Sequence, residues 1–191
     1  MLVLAQPGPR VLDLCASPGG KTVALSASTG TQGSIVACDV RPHRVWLLSR
    51  TLARCRITNA TVVHISEHGP LPFRDAAFDV VLIDAPCSGL GTIRRDPDIR
   101  WRRTPEDLTR FAAAQRMLLS RAATLVRPGG RLTYSTCSSE PEENQDVVRH
   151  FLDERSDYSL ERVHETLPFR DGLEAFYGAN LRREPSSGTS V

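Results

Sequence analysis

Short apolar runs alternate with longer amphipathic stretches almost from the first residue of the chain. The apolar runs predict β-strands, and glycine or proline at their borders predicts turns and helix starts. Five buried strands are predicted, at 11–15, 34–38, 60–64, 78–83 and 131–136. Helices are predicted over 20–28, 42–54, 104–126 and 141–152, with irregular chain at 85–104 and two weaker strands near 160–163 and 175–181.

Strands that alternate with helices of this length predict an α/β fold with a mostly parallel central sheet and helices on both faces. Ligands of such sheets bind at the carboxyl ends of the strands. The polar residues that interrupt the apolar pattern fall at those ends, at 15–21, Asp39, 84–87 and 136–137. Their convergence on one edge of the sheet indicates an enzyme.

Composition narrows the class of protein without revealing a partner. A length of 191 residues suits one domain, which we expect over 1–184, followed by a disordered polar tail over 185–191. A net charge of +2 does not by itself indicate nucleic acid. The chain has no apolar run of membrane-spanning length and no signal peptide pattern, so we expect a cytoplasmic protein without membrane association.

The five cysteines predict neither a disulfide framework nor a zinc site, because their number is odd and no Cys-x-x-Cys pair occurs. We therefore expect no metal. Cys38 and Cys55 lie in apolar surroundings and are predicted to fill the core or to pack helices. Lys21 is the only lysine beside 23 arginines, and it lies in a glycine-rich turn.

That turn joins the first strand to the first helix and is typical of nucleotide-type sites, although a plain tight connection would look similar. Asp39 follows about 20 residues later, the spacing of a carboxylate that holds ribose hydroxyls. The turn matches neither the dinucleotide nor the triphosphate fingerprint.

Residues 13–22, Asp-Leu-Cys-Ala-Ser-Pro-Gly-Gly-Lys-Thr, resemble the first motif of the Sun/NOL family of RNA cytosine-5 methyltransferases, with Ser17 where the family usually has alanine. The resemblance implies a Rossmann-like class I methyltransferase fold and S-adenosylmethionine as cofactor. The cofactor-binding residues it implies are Cys15, Ala16, Ser17, Pro18, Gly19, Gly20, Lys21, Asp39, Arg44, Ser66 and Asp84. Relatives commonly have aspartate where Ser66 stands, so the adjacent Glu67 is the alternative adenine-side residue.

Two further cysteines follow apolar strands, in the segments 84–89 and 133–138. Either could be a packing residue, but the pair at cofactor-side strand ends favours catalysis. A thiolate that adds to carbon 6 of cytosine makes carbon 5 nucleophilic. The resemblance implies that Cys137 attacks, Cys87 assists release and Asp84 holds the cytosine edge. Lys21 is expected either to face the base or to contact backbone carbonyls.

Residues 141–144 match the family's Pro-Glu-Glu-Asn signature, and an acidic helix start is the structural role that we expect for them. Residues 93–103 contain five arginines, two aspartates and one tryptophan. Arginine pairs with phosphate and tryptophan stacks on bases, although a solvated loop with its tryptophan packed on the core is the alternative.

This arginine-rich stretch resembles a segment of the bacterial small-subunit ribosomal RNA methyltransferase B branch, which implies small-subunit ribosomal RNA as the partner. The implied RNA-binding residues are Arg94, Arg95, Arg100, Trp101, Arg102 and Arg103. The RNA-binding region that usually precedes this domain in the family is missing from the sequence. We therefore expect a chain trimmed to its catalytic domain or read from an incomplete reading frame.

Three other functions stay open at this point. The chain could methylate transfer RNA, or it could bind cofactor and RNA without catalysis. A methyltransferase of another class, acting on protein or on a small molecule, would leave the two strand-end cysteines without a purpose. We expect the protein to be a monomer.

Overall fold

A seven-stranded sheet in the order β3-β2-β1-β4-β5-β7-β6 organises the molecule, of which the computed structural model describes residues 8–185. The strands are β1 (Arg10–Asp13), β2 (Ser34–Asp39), β3 (Ala60–His64), β4 (Phe78–Asp84), β5 (Val126–Thr136), β6 (Tyr158–Thr166) and β7 (Phe176–Arg183). The helices are α1 (Gly20–Thr29), α2 (Pro42–Arg54), α3 (Ile99–Arg102), α4 (Pro105–Ala123), α5 (Gln145–Glu154) and α6 (Pro168–Asp171).

The first five strands are mutually parallel, and β7 runs antiparallel to both β5 and β6. The predicted α/β fold with a mostly parallel sheet is confirmed. Each buried strand contributes side chains to the apolar clusters on both sides of the sheet, because successive side chains point to opposite faces. Leu12, Val81 and Ile83 pack with α4 and α5 on one side, whereas Val11 and Val80 pack with α1 on the other.

Helix α4 begins where the sequence predicts. Thr104 and Asp107 form a reciprocal capping box, and Pro105 occupies the first turn. The predicted end at residue 126 is wrong, since the helix stops at Ala123 and β5 already starts at Val126. Val126 pairs with Phe78, but the next pair along the strands is Val80 with Arg131. The residues between Val126 and Arg131, which include Pro128–Gly130, therefore form an irregularity within β5.

The segments around the two cysteine motifs are more ordered than expected. The stretch predicted to be irregular contains a 3-10 turn (Leu90–Thr92) and α3. The helix predicted from residue 141 begins at Gln145, because Pro141–Glu143 form a separate 3-10 turn. The two weaker strands prove longer than predicted, since together they complete the antiparallel edge of the sheet.

The structure tests the predictions made for two of the cysteines. Cys38 is fully buried in the core, but the prediction for Cys55 is wrong: it is exposed, just after the last turn of α2. Of the tail predicted over 185–191, residues 186–191 lie outside the described part of the chain. Among residues 8–185, no helix has the length and apolarity to cross a membrane.

Candidate active site

The glycine-rich turn between β1 and α1 brings the backbone of residues 15–21 over the carboxyl ends of β1 and β2. Gly19 has φ +111°, a left-handed conformation that favours glycine. A Cβ at Gly19 would also lie 3.1 Å from both Leu48 Cδ1 and Thr51 Cγ2 of α2. Glycine at this position therefore lets the turn pack tightly against α2.

Asp39 and Arg44 interact at the carboxyl end of β2. The Asp39 side chain is buried, and its Oδ2 lies 3.4 Å from Arg44 Nε. Arg44 Nη2 also donates a 2.7 Å hydrogen bond to the Ser17 carbonyl. Arg44 thus links the glycine-rich turn to β2 and orients the carboxylate.

A cavity of about 280 Å³ lies beside these residues, close to the lower end of the range for small-molecule sites. Its walls come from the ends of β1, β2 and β3, from the loop that follows β3, and from α4; they include Leu14, Cys15, Val40, Ile65, Ser66, Glu67 and Leu118. Ser66 and Glu67 both line it, so the structure leaves both residues in place as adenine-side candidates. Burial raises the pKa of the Cys15 thiol, which makes Cys15 a poor nucleophile.

The residues of this edge fit a cofactor that carries hydrogen-bonding groups and positive charge. Ser17 Oγ and Asp13 Oδ1 are buried and have no hydrogen-bond partner within the described residues. Asp13 Oδ2 accepts a 2.7 Å hydrogen bond from Thr22. Burial, helped by the neighbouring carboxylates Asp84 and Asp39, raises the pKa of Asp13 from 3.8 to about 7, against the lowering effects of the Thr22 hydrogen bond and of Lys21.

Sequence reasoning missed Asp13 as a site residue. Its signal is an aspartate within an otherwise apolar buried strand, where an ionisable group needs a partner. Among the described residues, no group of three or more histidine, cysteine, aspartate or glutamate side chains is arranged to hold a metal ion.

Lys21 and Asp84 form an ion pair at the mouth of the site, with 2.6 Å between Nζ and Oδ2. Ser135 Oγ donates to the other Asp84 oxygen at 3.0 Å, so the carboxylate is held from both sides. Lys21 Nζ also lies 6.0 Å from the ring centroid of Phe176, a half-buried residue that the sequence analysis did not identify. Within the protein, the contact of Lys21 is therefore the Asp84 carboxylate and not the backbone carbonyls expected as one alternative. That Lys21 faces the substrate base stays a prediction.

The two strand-end cysteines meet beside this ion pair. Cys87 Sγ and Cys137 Sγ lie 3.3 Å apart, although the residues are 50 positions apart in sequence. The register of the parallel strands explains this, because Asp84 pairs with Ser135 and both chains then turn at the same edge. Both thiols are half-buried.

The hydrogen bond between the thiols makes them unequal. It lowers the pKa of Cys137, and the nearby Lys21 ammonium lowers it further, whereas burial and Asp84 oppose the shift. The same hydrogen bond and burial raise the pKa of Cys87. The lowered pKa of Cys137 favours its thiolate form and the raised pKa of Cys87 favours its thiol form, whereas the distance alone allows either sulfur to be the donor.

Glu143 lies under both cysteine loops, fully buried. Its carboxylate accepts hydrogen bonds from Ser88 N (2.8 Å), Ser88 Oγ (2.5 Å), Ser138 Oγ (2.6 Å) and Gln115 Nε2 (3.0 Å). A structural role was expected for the 141–144 signature, but the expected reason was incomplete. Glu143 bridges loops instead of only favouring a helix start.

The predicted RNA-binding residues fall into two groups. Arg100, Trp101 and Arg102 are exposed, and the Arg100 guanidinium lies 4.9 Å from the Trp101 ring. Trp101 is 78% exposed, which excludes the alternative that it packs on the core. Arg94 and Arg95 are also exposed but contact the loop before β7, and the half-buried Arg103 donates to the Ser88 carbonyl at 2.8 Å.

Solved structures with similar folds support the same architecture. The crystal structure of PH0851 superposes with a TM-score of 0.90 at 34% identity, covering 94% of this chain and 44% of that one. A crystal structure of NSun6 from Pyrococcus horikoshii with SFG gives a TM-score of 0.79 at 26% identity, covering 92% and 48%. A SAM-dependent methyltransferase from Aquifex aeolicus shares the fold at 18% identity with a TM-score of 0.64. The expected class I methyltransferase fold is thus confirmed.

Curated relatives extend this likeness to sequence. The chain is 38% identical over 165 residues to a probable ribosomal RNA small subunit methyltransferase B of Synechocystis, covering 85% of the chain and 37% of the relative. It is 36% identical over 191 residues to the ribosomal RNA small subunit methyltransferase B of Erwinia tasmaniensis, covering 96% and 44%. The chain thus spans less than half of either relative. A family model described as 16S rRNA methyltransferase RsmB/F matches residues 1–182, and the chain belongs to this family.

Proposed function

We propose that this domain is an S-adenosylmethionine-dependent RNA cytosine-5 methyltransferase that acts on small-subunit ribosomal RNA. The observation that carries the proposal is the Cys87–Cys137 pair, 3.3 Å apart beside the Lys21–Asp84 ion pair. Both groups stand at the same sheet edge as the cavity of the glycine-rich turn. Two thiols of unequal pKa are what a reaction with covalent addition and assisted elimination requires.

The cofactor side is supported by the residues that line the cavity and the turn. The Ser17 hydroxyl and the Asp13 carboxyl have polar atoms without a partner among the described residues, Asp39 offers a carboxylate for ribose hydroxyls, and Ser66 and Glu67 line the cavity, where either could contact the adenine. S-adenosylmethionine supplies an electrophilic methyl group when bound.

The chain's own residues carry the remaining steps. The Cys137 thiolate adds to carbon 6 of cytosine, and Asp84 holds the base edge near the ring nitrogen. Carbon 5 then accepts the methyl group and a base removes the remaining proton from carbon 5. The electron pair of that C–H bond forms the carbon 5–carbon 6 double bond as the Cys137–carbon 6 bond breaks, which regenerates the Cys137 thiolate. Cys87 assists this step as a thiol that donates a hydrogen bond to the leaving sulfur and keeps its proton. The Phe176 ring and the exposed Trp101 offer faces on which RNA bases can stack.

The experiment compares three cysteine variants with labelled S-adenosylmethionine and small-subunit ribosomal RNA. Cys137→Ala is expected to lose methylation and to form no adduct. Cys87→Ala is expected to methylate and then stall, giving a denaturant-resistant protein–RNA band that protease removes. Cys55→Ala removes an exposed thiol away from the site and is the matched control, with wild-type activity expected.

Each other outcome identifies a different function. A trapped band in Cys137→Ala instead of Cys87→Ala would exchange the roles of the cysteines. Transfer of label to transfer RNA or to protein would identify that molecule as the substrate instead of ribosomal RNA. Cofactor binding without label transfer would indicate a non-catalytic module. Because the chain spans less than half of its relatives' length, a full-length relative from the family is assayed in parallel.

A further inference from the structure

Two of the walls of the cavity of about 280 Å³ belong to different parts of the chain. One wall is α4, which contributes Gln115, Met117 and Leu118. The other is the loop that follows β3, which contributes Ser66 and Glu67. The separation between this loop and α4 therefore sets the width of the space that a ligand can occupy.

Arg121, in the last turn of α4, connects these two walls. Its half-buried side chain lines the cavity, and its guanidinium donates to the Glu67 carbonyl oxygen at 3.3 Å and to the Gly69 carbonyl oxygen. A guanidinium carries several donors in a fixed planar arrangement, so one side chain can bind two acceptors at once. The two bonds fasten the loop to the end of the helix.

The loop tip, residues 66–70, is held by little else. Ile65 before the tip is buried, and Leu71 after it packs against the core, whereas the tip itself is exposed. Among the described residues, the tip has one hydrogen bond besides those from Arg121, and that bond runs within the tip. Hydrogen bonding between the tip and α4 therefore depends on Arg121.

We propose that Arg121 is a positioning residue for the cofactor: by fastening the loop tip to α4, it holds the two walls of the cavity at the separation that the adenine ring requires. The identity of the ligand rests on the proposed function. The contribution of Arg121 is made through the loop and needs no direct contact with the ligand.

The lining of the cavity explains why a small change in separation matters. The apolar residues of the lining include Leu14, Val40, Ile65, Leu71 and Leu118, which suit a flat ring that is bound through its faces. Dispersion attraction falls steeply with distance, and a gap of about 0.5–1 Å already removes roughly a quarter to a half of it. A loop tip that moves outward would therefore weaken the binding of adenine.

The test measures the affinities of S-adenosylhomocysteine and adenosine by calorimetry. Arg121→Ala is expected to weaken the binding of both ligands about tenfold, the order of effect of losing one hydrogen bond from a charged donor. The factor should be the same for both ligands, because both carry the adenine ring and the defect lies at that end of the cavity.

Two variants separate the bridge from the charge. Arg121→Lys keeps the positive charge but lacks the planar fork that binds two carbonyl groups, so most of the loss is expected to remain. Arg116→Ala removes an exposed arginine from the same helix, outside the lining of the cavity, and is expected to leave both affinities unchanged.

Two further measurements distinguish positioning of the loop from a general effect on stability. Hydrogen exchange of the ligand-free protein is expected to be faster at residues 66–70 in Arg121→Ala and unchanged in the strands. In the methylation assay, the KM for S-adenosylmethionine is expected to rise about tenfold with kcat nearly unchanged, because Arg121 does not contact the cysteine loops.

A folded Arg121→Ala protein with wild-type affinity for adenosine overturns the proposal, and so does full affinity in Arg121→Lys. An arginine in the last turn of a helix also favours the helix dipole. Faster exchange at the end of α4 without a change at residues 66–70 would assign Arg121 that role alone and would likewise overturn the proposal.

The binding experiments need neither RNA nor methyl transfer. A wild-type protein that binds both ligands, with the expected losses in the variants, but methylates no RNA would refute the proposed function and leave this inference intact. A wild-type protein that binds neither adenosine nor S-adenosylhomocysteine would contradict the assignment of the cavity and overturn the inference.

Discussion

At the scale of single residues, the molecule concentrates ionisable groups in places where burial changes their chemistry. Asp13 is the clearest case, with no exposed surface and one oxygen without a partner among the described residues. Cys137 is the opposite case, since a hydrogen bond and a nearby ammonium group favour its charged form. Such shifts are common at functional sites, where the protein tolerates them for the sake of ligand binding or reactivity.

The raised pKa of Asp13 predicts a pH-dependent stability. The unfolded carboxyl titrates near 3.8 and the folded one near 7, so between these values the folded state holds an extra proton. Stability is therefore lost as pH rises through this window, by up to about 1.4 kcal/mol per pH unit. In denaturant unfolding, the advantage of Asp13→Asn over wild type should grow from pH 4 to pH 7.

The control for this prediction is Asp75→Asn, which changes an exposed carboxyl in the loop before β4. Its unfolding free energy should differ from that of wild type by the same amount at every pH. Parallel pH profiles for Asp13→Asn and wild type would mean that Asp13 is ionised in the folded protein.

At the scale of elements, the site depends on how a 3-10 turn fits between two strands. The Gly91 amide donates to the Cys137 carbonyl at 3.0 Å, and the Ala175 amide donates to the Gly91 carbonyl at 3.1 Å. A Cβ at Gly91 would lie 2.5 Å from the Ala175 carbonyl oxygen and 2.7 Å from that of Cys137. The turn can therefore approach the end of β5 only with glycine at this position.

Gly91→Ala should consequently displace the Cys137 backbone. We expect a loss of about 1–3 kcal/mol in unfolding free energy, the usual cost of overpacking, together with slower alkylation of Cys137 in the folded protein. Gly33→Ala is the matched control, because its Cβ would be similarly crowded by Thr29 and Pro9, away from the cysteines. It should lose stability and keep the reactivity of Cys137; equal alkylation rates in both variants would contradict the prediction.

At the scale of the whole molecule, charge is distributed unevenly although the net charge is only +2. The segment with α3 presents Arg100, Trp101 and Arg102 to solvent close to the candidate site, because Arg103 anchors its end to the Cys87 loop. The segment thus places exposed positive charge next to the loop that carries Cys87. The surface therefore supplies electrostatic attraction locally, without a high overall charge.

Removing Arg100 and Arg102 together, as alanine, should flatten the salt dependence of RNA binding. Each phosphate contact contributes about 0.7–0.9 to the slope of log affinity against log salt, so a decrease of up to about 2 is expected. Arg54→Ala with Arg74→Ala removes the same charge from the opposite edge of the sheet and should leave the slope nearly unchanged. Equal slopes in all three proteins, measured by filter binding, would show that the α3 segment does not contact phosphate.

Prediction from sequence succeeded where the local residue pattern alone determines the secondary structure. The alternation of apolar strands and capped helices was enough to predict the α/β fold, since periodicity reports which face of each element is buried. The sequence also predicted that four groups lie at one edge of the sheet, because parallel strands place their carboxyl ends there. These groups are Asp84, Cys87, Cys137 and the glycine-rich turn. Errors arose at element ends, as at Val126 and Gln145, where tertiary pairing decides the boundary.

Only the tertiary structure decided which of these groups meet. The 3.3 Å between the two thiols follows from the adjacency and register of β4 and β5, neither of which is encoded in the spacing of 50 residues. The same holds for Glu143, whose partners come from α4 and both cysteine loops. A residue pattern reports burial and local backbone preference, whereas hydrogen bonds between distant segments depend on how those segments pack. For this protein, the sequence determines the sheet and the residue types at its edge, and packing determines that the two thiols lie in contact.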